Sequence, residues 1–136
     1  MQNQNDKTKK ALVREKIQNT CFEIIKAELK GEEKGLDDKD ILFISSLFKL
    51  ISDEIHEDPE MQPREHHVFC DEVAAVMSDI SGTETYTKEN VQEIVMALSK
   101  APYKYVVTNS CKHFAGFRAT DYFVDLIREE IGLEFY

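Results

Sequence analysis

The hydrophobic pattern of this chain has a helical period over most of its length. Apolar residues recur three and four positions apart, a spacing typical of amphipathic α-helices that bury one stripe. The strongest stripe lies between residues 38 and 57 and is formed by Ile41, Ile44, Phe48, Ile51 and Ile55. Phe43, Leu47 and Leu50 widen this stripe, so we expect this helix to be the central and most buried one.

The same spacing predicts four further helices, at residues 7–30, 64–80, 88–99 and 120–131. Asp37 and Thr87 are placed as N-caps. Pro59 ends the central helix, because the residue before a proline disfavours helical backbone. The third helix would have Pro63 in its first turn and would end at Gly82. Its buried stripe would consist of Phe69, Val73, Val76, Met77 and Ile80.

A change of period near the C terminus predicts one small β-hairpin. Residues 103–107, YKYVV, alternate and are rich in β-branched and aromatic side chains, as strands are. Asn109 and Ser110 favour a turn, after which residues 113–118, HFAGFR, supply the return strand. The predicted fold class is therefore mainly α, with about five helices in a compact bundle and one small C-terminal hairpin.

The length of 136 residues corresponds to one domain. Residues 1–6 are mostly polar and are expected to form a disordered tail, followed by a single helical domain at residues 7–136. The N-terminal segment does not resemble an export signal, and three cysteines cannot complete a disulfide framework. We therefore expect a cytoplasmic protein with reduced thiols and without a membrane partner, since the longest apolar run is too short to cross a bilayer.

Charge is distributed unevenly along the chain, which is more informative than the net charge of −9. Between Glu32 and Glu93, 17 acidic residues stand against 5 basic ones, whereas residues 99–120 contain four basic residues and no acidic one. The densest acidic run follows the central stripe and comprises Asp53, Glu54, Glu57, Asp58 and Glu60. Such a run is explained by an ordinary solvated surface. The more specific alternative is a docking patch that binds a basic partner.

This charge pattern favours a non-enzymatic protein-binding regulator or inhibitor. Its partner would be another protein with a basic surface, such as the nucleic-acid-binding surface of a nuclease or toxin, in the manner of immunity proteins or phage-encoded inhibitors. The acidic run would make the contact. We assign no catalytic residue, because these acids follow one another at one helix end instead of converging from several elements. The sequence also lacks a glycine-rich phosphate loop, and no cofactor is implied.

The order of predicted elements from Arg64 to Arg118 resembles a winged helix-turn-helix. Residues 88–99 would be the recognition helix and residues 103–118 the wing. The resemblance implies a DNA-binding transcriptional regulator as the alternative function. Nucleic acid would then be bound by Lys88, Asn90, Lys104, Lys112 and Arg118. The chain departs from this pattern in its long loop before residue 88 and in Glu89 and Glu93, which phosphates would repel.

A zinc-binding module is the third alternative. His66 and Cys70 are four residues apart on a predicted helix and would face the same way, while Cys111 and His113 flank the hairpin turn. Two thiolates and two imidazoles suit tetrahedral zinc. A buried thiol at Cys70 is the ordinary alternative, and the spacing is wider than that of common zinc motifs, so no metal is assigned.

Overall fold

The computed structural model describes residues 22–29, 35–108 and 115–135. The helices of this part of the chain are residues 22–29 (α1), Asp38–Glu57 (α2), Cys70–Ser81 (α3), Lys88–Leu98 (α4) and Asp121–Asp125 (α5). A 3-10 helix forms at Pro63–Glu65, and a π-helix at Leu126–Ile131 continues α5. The strands in the same ranges are His67–Phe69 (β1), Val106–Val107 (β2) and Gly116–Ala119 (β3). The fold is mainly helical, which confirms the predicted fold class.

The strands form an antiparallel sheet with the order β1-β3-β2. β2 and β3 pair as the predicted hairpin, with Val107 opposite Arg118, and the predicted turn at residues 109–110 lies outside the described residues. The pairing of β1 with β3 was not predicted. It sets His67 opposite Arg118 and Val68 opposite Phe117, so the central strand is bonded on both sides.

The helix predicted over residues 64–80 is wrong in its first six residues. Pro63 does begin a helical turn, but this turn is a short 3-10 helix, and the chain then runs extended until α3 starts at Cys70. Burial alternates along this stretch, with His66, Val68 and Cys70 buried and the residues between them exposed. The apolar spacing fits either period, and β3 decides the outcome because it supplies partners for the β1 backbone.

The predicted caps at Asp37 and Thr87 and the predicted glycine stop at Gly82 are confirmed. Asp37 caps α2, accepting a hydrogen bond of 2.8 Å from the Asp40 N–H, and the Asp40 side chain reciprocates. Thr87 caps α4 in the same way with Asn90. Gly82 ends α3 at φ +69°, a left-handed conformation that glycine adopts without steric cost. Local sequence therefore determines these ends.

One hydrophobic core joins the described helices to the inner face of the sheet. α2 is central to it, since every residue from Ile41 to Phe48 is buried. The Phe43 ring contacts the Phe117 ring of β3 at a centroid distance of 5.7 Å. Phe135 of the C-terminal tail packs on Phe48 at 5.2 Å, so the tail is part of the core.

The structure describes only part of the N-terminal helix that was predicted over residues 7–30. Residues 22–29 lie inside the helix predicted over residues 7–30 and are helical, with Ile25 and Leu29 buried. The predicted disordered tail, residues 1–6, lies outside the described residues. None of the described helices has the length and apolar character that crossing a membrane requires.

We predict that Phe43→Ala lowers the free energy of unfolding by about 3–5 kcal/mol, because it leaves a cavity between α2 and the sheet. Phe69→Ala is the matched control. It removes the same ring from a side chain that is 46% exposed and should cost less than about 1 kcal/mol. Urea denaturation followed by circular dichroism measures both values, and equal losses would contradict the central position of Phe43.

Candidate binding surfaces

The acidic run predicted from the sequence lies at the C-terminal end of α2 and on the turn that follows. We refer to it as the acidic patch, and it consists of Asp53, Glu54, Glu57, Asp58 and Glu60. Asp53 is half-buried and the other four are exposed. Asp58 is the C-cap of α2 and donates its N–H to the Glu54 carbonyl at 2.8 Å. The structure therefore keeps these carboxylates at one end of one helix.

Two members of the acidic patch have partners within the chain. Lys49 Nζ lies 3.1 Å from Asp53 Oδ2, and His66 Nδ1 lies 3.9 Å from Glu54 Oε2. Glu57, Asp58 and Glu60 have no ion-pair partner among the described residues. These three carboxylates are the ones available to an external cation.

The position of the acidic patch is unfavourable for the helix that carries it. The C terminus of a helix bears a partial negative charge, which disfavours nearby carboxylates by about 0.3–1 kcal/mol each. The last turn of α2 contains one basic residue, His56. Helix stability therefore does not explain why acids are concentrated at this end of α2, and a binding role is the explanation that we propose below.

The residues predicted for nucleic-acid binding lie on separate elements. Lys88 and Asn90 are in the first turn of α4, Lys104 lies before β2, and Arg118 is on β3; Lys112 lies outside the described residues. Asn90 is committed to its cap, since its Oδ1 accepts hydrogen bonds from the Thr87 N–H at 2.9 Å and the Thr87 hydroxyl at 3.0 Å. Its amide oxygen is therefore occupied inside the chain.

The exposed side of α4 is acidic where a recognition helix would meet DNA. Glu89 and Glu93 are four residues apart and both are exposed, so they share one face of the helix. Gln92 lies between them in sequence and is buried. This face would meet phosphates with two carboxylates, which opposes binding to duplex DNA through α4.

The zinc prediction rests on a helix that does not form. His66 and Cys70 stand at the two ends of the extended β1 segment, and four residues of extended chain separate Cα atoms by about 13 Å. Two such side chains with zinc bonds of about 2 Å each do not span that distance. Cys111 and His113 lie outside the described residues, and the described ranges contain no metal-binding cluster of three or more histidine, cysteine or acidic residues. The helical face on which His66 and Cys70 were predicted to lie together is therefore wrong, and the four-residue zinc site stays a prediction.

Both residues are instead part of the protein interior. His66 is 3% exposed, and its Nε2 has no hydrogen-bond partner among the described residues. Cys70 is fully buried, and this burial raises the pKa of its thiol to about 11. Because the thiolate is the reactive form, Cys70 is an unreactive core residue.

The outer face of the sheet, which we define as His67, Phe69, Val107 and Arg118, includes one residue that was predicted to bind nucleic acid, Arg118, and three that were not. Their neighbours Val68, Phe117, Val106 and Ala119 form the inner, buried face. His67, Arg118 and Val107 make one row across the three strands. Phe69 was predicted to lie in a buried helical stripe, but the alternation of β1 turns it outward, and it is 46% exposed.

Gly116 allows His67 to lie across the central strand. A Cβ atom at Gly116 would be 2.5 Å from His67 Nε2 and 2.8 Å from the Val68 carbonyl oxygen, so any larger residue would displace one of them. His67 also contacts the Phe69 ring edge-on, at a centroid distance of 5.0 Å. The imidazole is therefore held between a glycine and an aromatic ring.

A cleft of about 670 Å³ separates α1 from the start of α2 and the end of α3. Its wall includes the Tyr86 hydroxyl, which donates a hydrogen bond to Glu84 at 2.8 Å. Burial, together with this carboxylate, raises the pKa of Tyr86 to about 12. Basic and acidic side chains both line the cleft, so its charge does not select a class of ligand.

Comparison with known proteins does not identify this chain. No protein-family model, curated protein or solved structure matches it. Function is therefore argued from the surfaces described above.

We predict that Cys70 resists alkylation by iodoacetamide at about pH 8, because a fully buried thiol reacts after the core opens. Its labelling should be at least about 100-fold slower in the native protein than in urea, as measured by peptide mass spectrometry. The urea sample is the control, because it shows that the Cys70 peptide is detected once labelled. Equal labelling rates would contradict the buried position.

Proposed function

We propose that this chain is a non-enzymatic regulator or inhibitor that binds another protein through its acidic patch. The observation that carries the proposal is the concentration of carboxylates at the negative end of α2, where they oppose helix stability. The complementary partner has a basic surface, such as the nucleic-acid-binding surface of a nuclease or toxin. We place this activity in the cytoplasm, where the thiols of the chain stay reduced.

The charge of the acidic patch suits a partner that normally binds phosphates. Glu57, Asp58 and Glu60 are exposed within four consecutive positions of a helix end and its turn, and none has an internal ion pair among the described residues. The helix dipole adds a partial negative charge of about half an elementary charge at the same place. A basic groove would meet a local density of negative charge comparable to that of a short phosphate run.

Binding of this kind depends on electrostatic steering. Complementary charge raises association rates by about 10- to 1,000-fold at low salt, and the effect falls as ionic strength rises. The overall charge of −9 contributes at long range, whereas the acidic patch determines orientation at contact. A partner should therefore be captured more efficiently at low salt than at moderate salt.

We predict that Glu57→Lys combined with Glu60→Lys slows association with the partner at least about tenfold while α2 becomes slightly more stable. The gain in stability should be up to about 1 kcal/mol, because Glu57→Lys replaces an unfavourable charge at the helix C terminus with a favourable one. The partner is first isolated from nuclease-treated lysate of the native host, and surface plasmon resonance then compares the variants.

The matched control for this experiment is Glu89→Lys combined with Glu93→Lys, which makes the same charge change on α4. A partner that survives nuclease treatment, and whose association slows with the first variant alone, supports the proposal. Equal slowing by both variants would show that net charge matters and the acidic patch does not. An unchanged rate with the first variant would remove the acidic patch as the binding site.

The second candidate is a winged-helix regulator that binds duplex DNA, and the strand order supports it. The chain order is α3, then α4, then the β2–β3 hairpin, which is the order of elements in a winged helix-turn-helix. β1 completes the sheet beside β3. Glu89 and Glu93 on the exposed side of α4 count against it, which is why it is placed second.

We predict for this candidate that the chain shifts duplex DNA in a gel and that Lys88→Ala and Lys104→Ala each weaken the complex. The plot of log affinity against log salt has a negative slope, and each phosphate contact that is lost should make this slope less steep by about 0.9. Lys39→Ala is the matched control, since it removes the same charge from an exposed residue in the first turn of α2 that is not among the predicted contacts. A slope that does not change with either lysine variant would exclude these residues as phosphate contacts.

A further inference from the structure

The outer face of the sheet presents apolar side chains to solvent without a covering element among the described residues. Phe69 is 46% exposed and Val107 is 48% exposed. Single exposed apolar residues are common on protein surfaces, but these two occupy one small face together with His67. An exposed aromatic ring next to an imidazole is a surface on which a flat, unsaturated group can stack.

The two rings are fixed before any ligand arrives. His67 lies over Gly116 and against the edge of Phe69, with an angle of 76° between the rings. Phe69 is still 46% exposed, so part of its ring is open to solvent in this fixed arrangement. A ligand therefore loses little binding free energy to ordering these side chains.

Arg118 adds a cation at the centre of this face. It lies on the middle strand, opposite His67 on one side and Val107 on the other. Its side chain makes no ion pair or hydrogen bond within the described part of the chain, although the protein has an excess of acids. The charged residues in the sequence from Ser99 to Thr120 are all basic, so this strand pair is the cationic part of an anionic protein.

We propose that the outer face of the sheet binds single-stranded nucleic acid. An unpaired base stacks on the exposed part of Phe69, His67 flanks it on the same face, and Arg118 binds the adjacent phosphate. Aromatic rings on a sheet surface recognise unpaired bases in this way, with arginine supplying the phosphate contact. An acidic peptide would use Arg118 but would leave the fixed ring pair without a flat partner.

The neighbouring charges indicate where the strand would run. Asp71 and Glu72 are exposed at the start of α3, directly after Phe69, and would repel phosphates on that side. The path from Phe69 across Arg118 toward β2 carries no acid in the described residues. Duplex DNA is less suitable, because its bases are stacked on each other and are not free to stack on Phe69.

The test is fluorescence anisotropy of the full chain with labelled oligothymidylate and oligouridylate of about 12 nucleotides, beside a duplex of the same length. Phe69→Ala should weaken binding of the single strand about tenfold, because stacking on that ring is lost. Arg118→Ala should weaken binding and make the slope of log affinity against log salt less steep by about 0.7, the value for one phosphate contact on a single strand. Binding to one oligonucleotide and not to the other identifies DNA or RNA as the source.

Tyr122→Ala is the matched control. Tyr122 is an aromatic residue on α5 that is 59% exposed and does not belong to the outer face of the sheet, so its removal should leave binding unchanged. Loss of binding in Phe69→Ala and retention in Tyr122→Ala support the proposal. Absence of single-strand binding at about 50 mM salt, tighter binding to the duplex, or equal effects of the two aromatic variants would overturn it.

This inference is independent of the proposed function. The Lys variants of Glu57 and Glu60 change a different element, so the two experiments fail separately. If Phe69→Ala keeps full affinity for the single strand while the acidic patch variants lose the protein partner, the proposal for the sheet fails alone.

Discussion

The packing of the central strand β3 against helix α2 is the interaction on which the rest of the structure depends. Phe117 of β3 and Phe43 of α2 are both almost fully buried, and their rings are in contact. β3 is bonded to β1 on one side and to β2 on the other. Once Phe117 points inward, strand alternation forces Arg118 outward, and the register carries His67 and Val107 with it. One buried contact therefore determines the whole outer face.

The same burial accounts for the position of the acidic patch. α2 is enclosed by other elements along most of its length, since its residues from Ile41 to Phe48 are all buried. A charge in that stretch would lose its hydration, and the charged residues of this helix all lie before Ile41 or after Phe48. At the first turn acids are favourable, and Asp37 and Asp40 form the cap. At the last turn acids are unfavourable, and the proposed binding role of the acidic patch rests on this contrast.

The acidic patch and the outer sheet face are connected through two consecutive residues. His66 is buried and its Nδ1 lies 3.9 Å from the Glu54 carboxylate, while His67 lies on the outer face beside Phe69. Alternation along an extended segment places neighbouring side chains on opposite sides. An anionic surface and a cationic aromatic one are thus joined by a short piece of backbone, without sharing any residue.

Local sequence was enough to predict most of the helices and most of their ends, but not the start of α3. α2, its Asp37 cap, the Thr87 cap of α4 and the glycine stop at Gly82 depend on interactions within a few residues, and such interactions are readable from local spacing. The hairpin was predictable for the same reason, because its strands are close in sequence.

Tertiary structure alone decided the conformation of residues 66–69. Their apolar spacing suits a helix or a strand, and β3, nearly 50 residues later in the chain, supplied the hydrogen-bonding partner. That long-range pairing turned Phe69 outward, moved His66 into the interior and separated it from Cys70. The outer sheet face could not be predicted as a whole, because no local pattern specifies the pairing of β1 with β3.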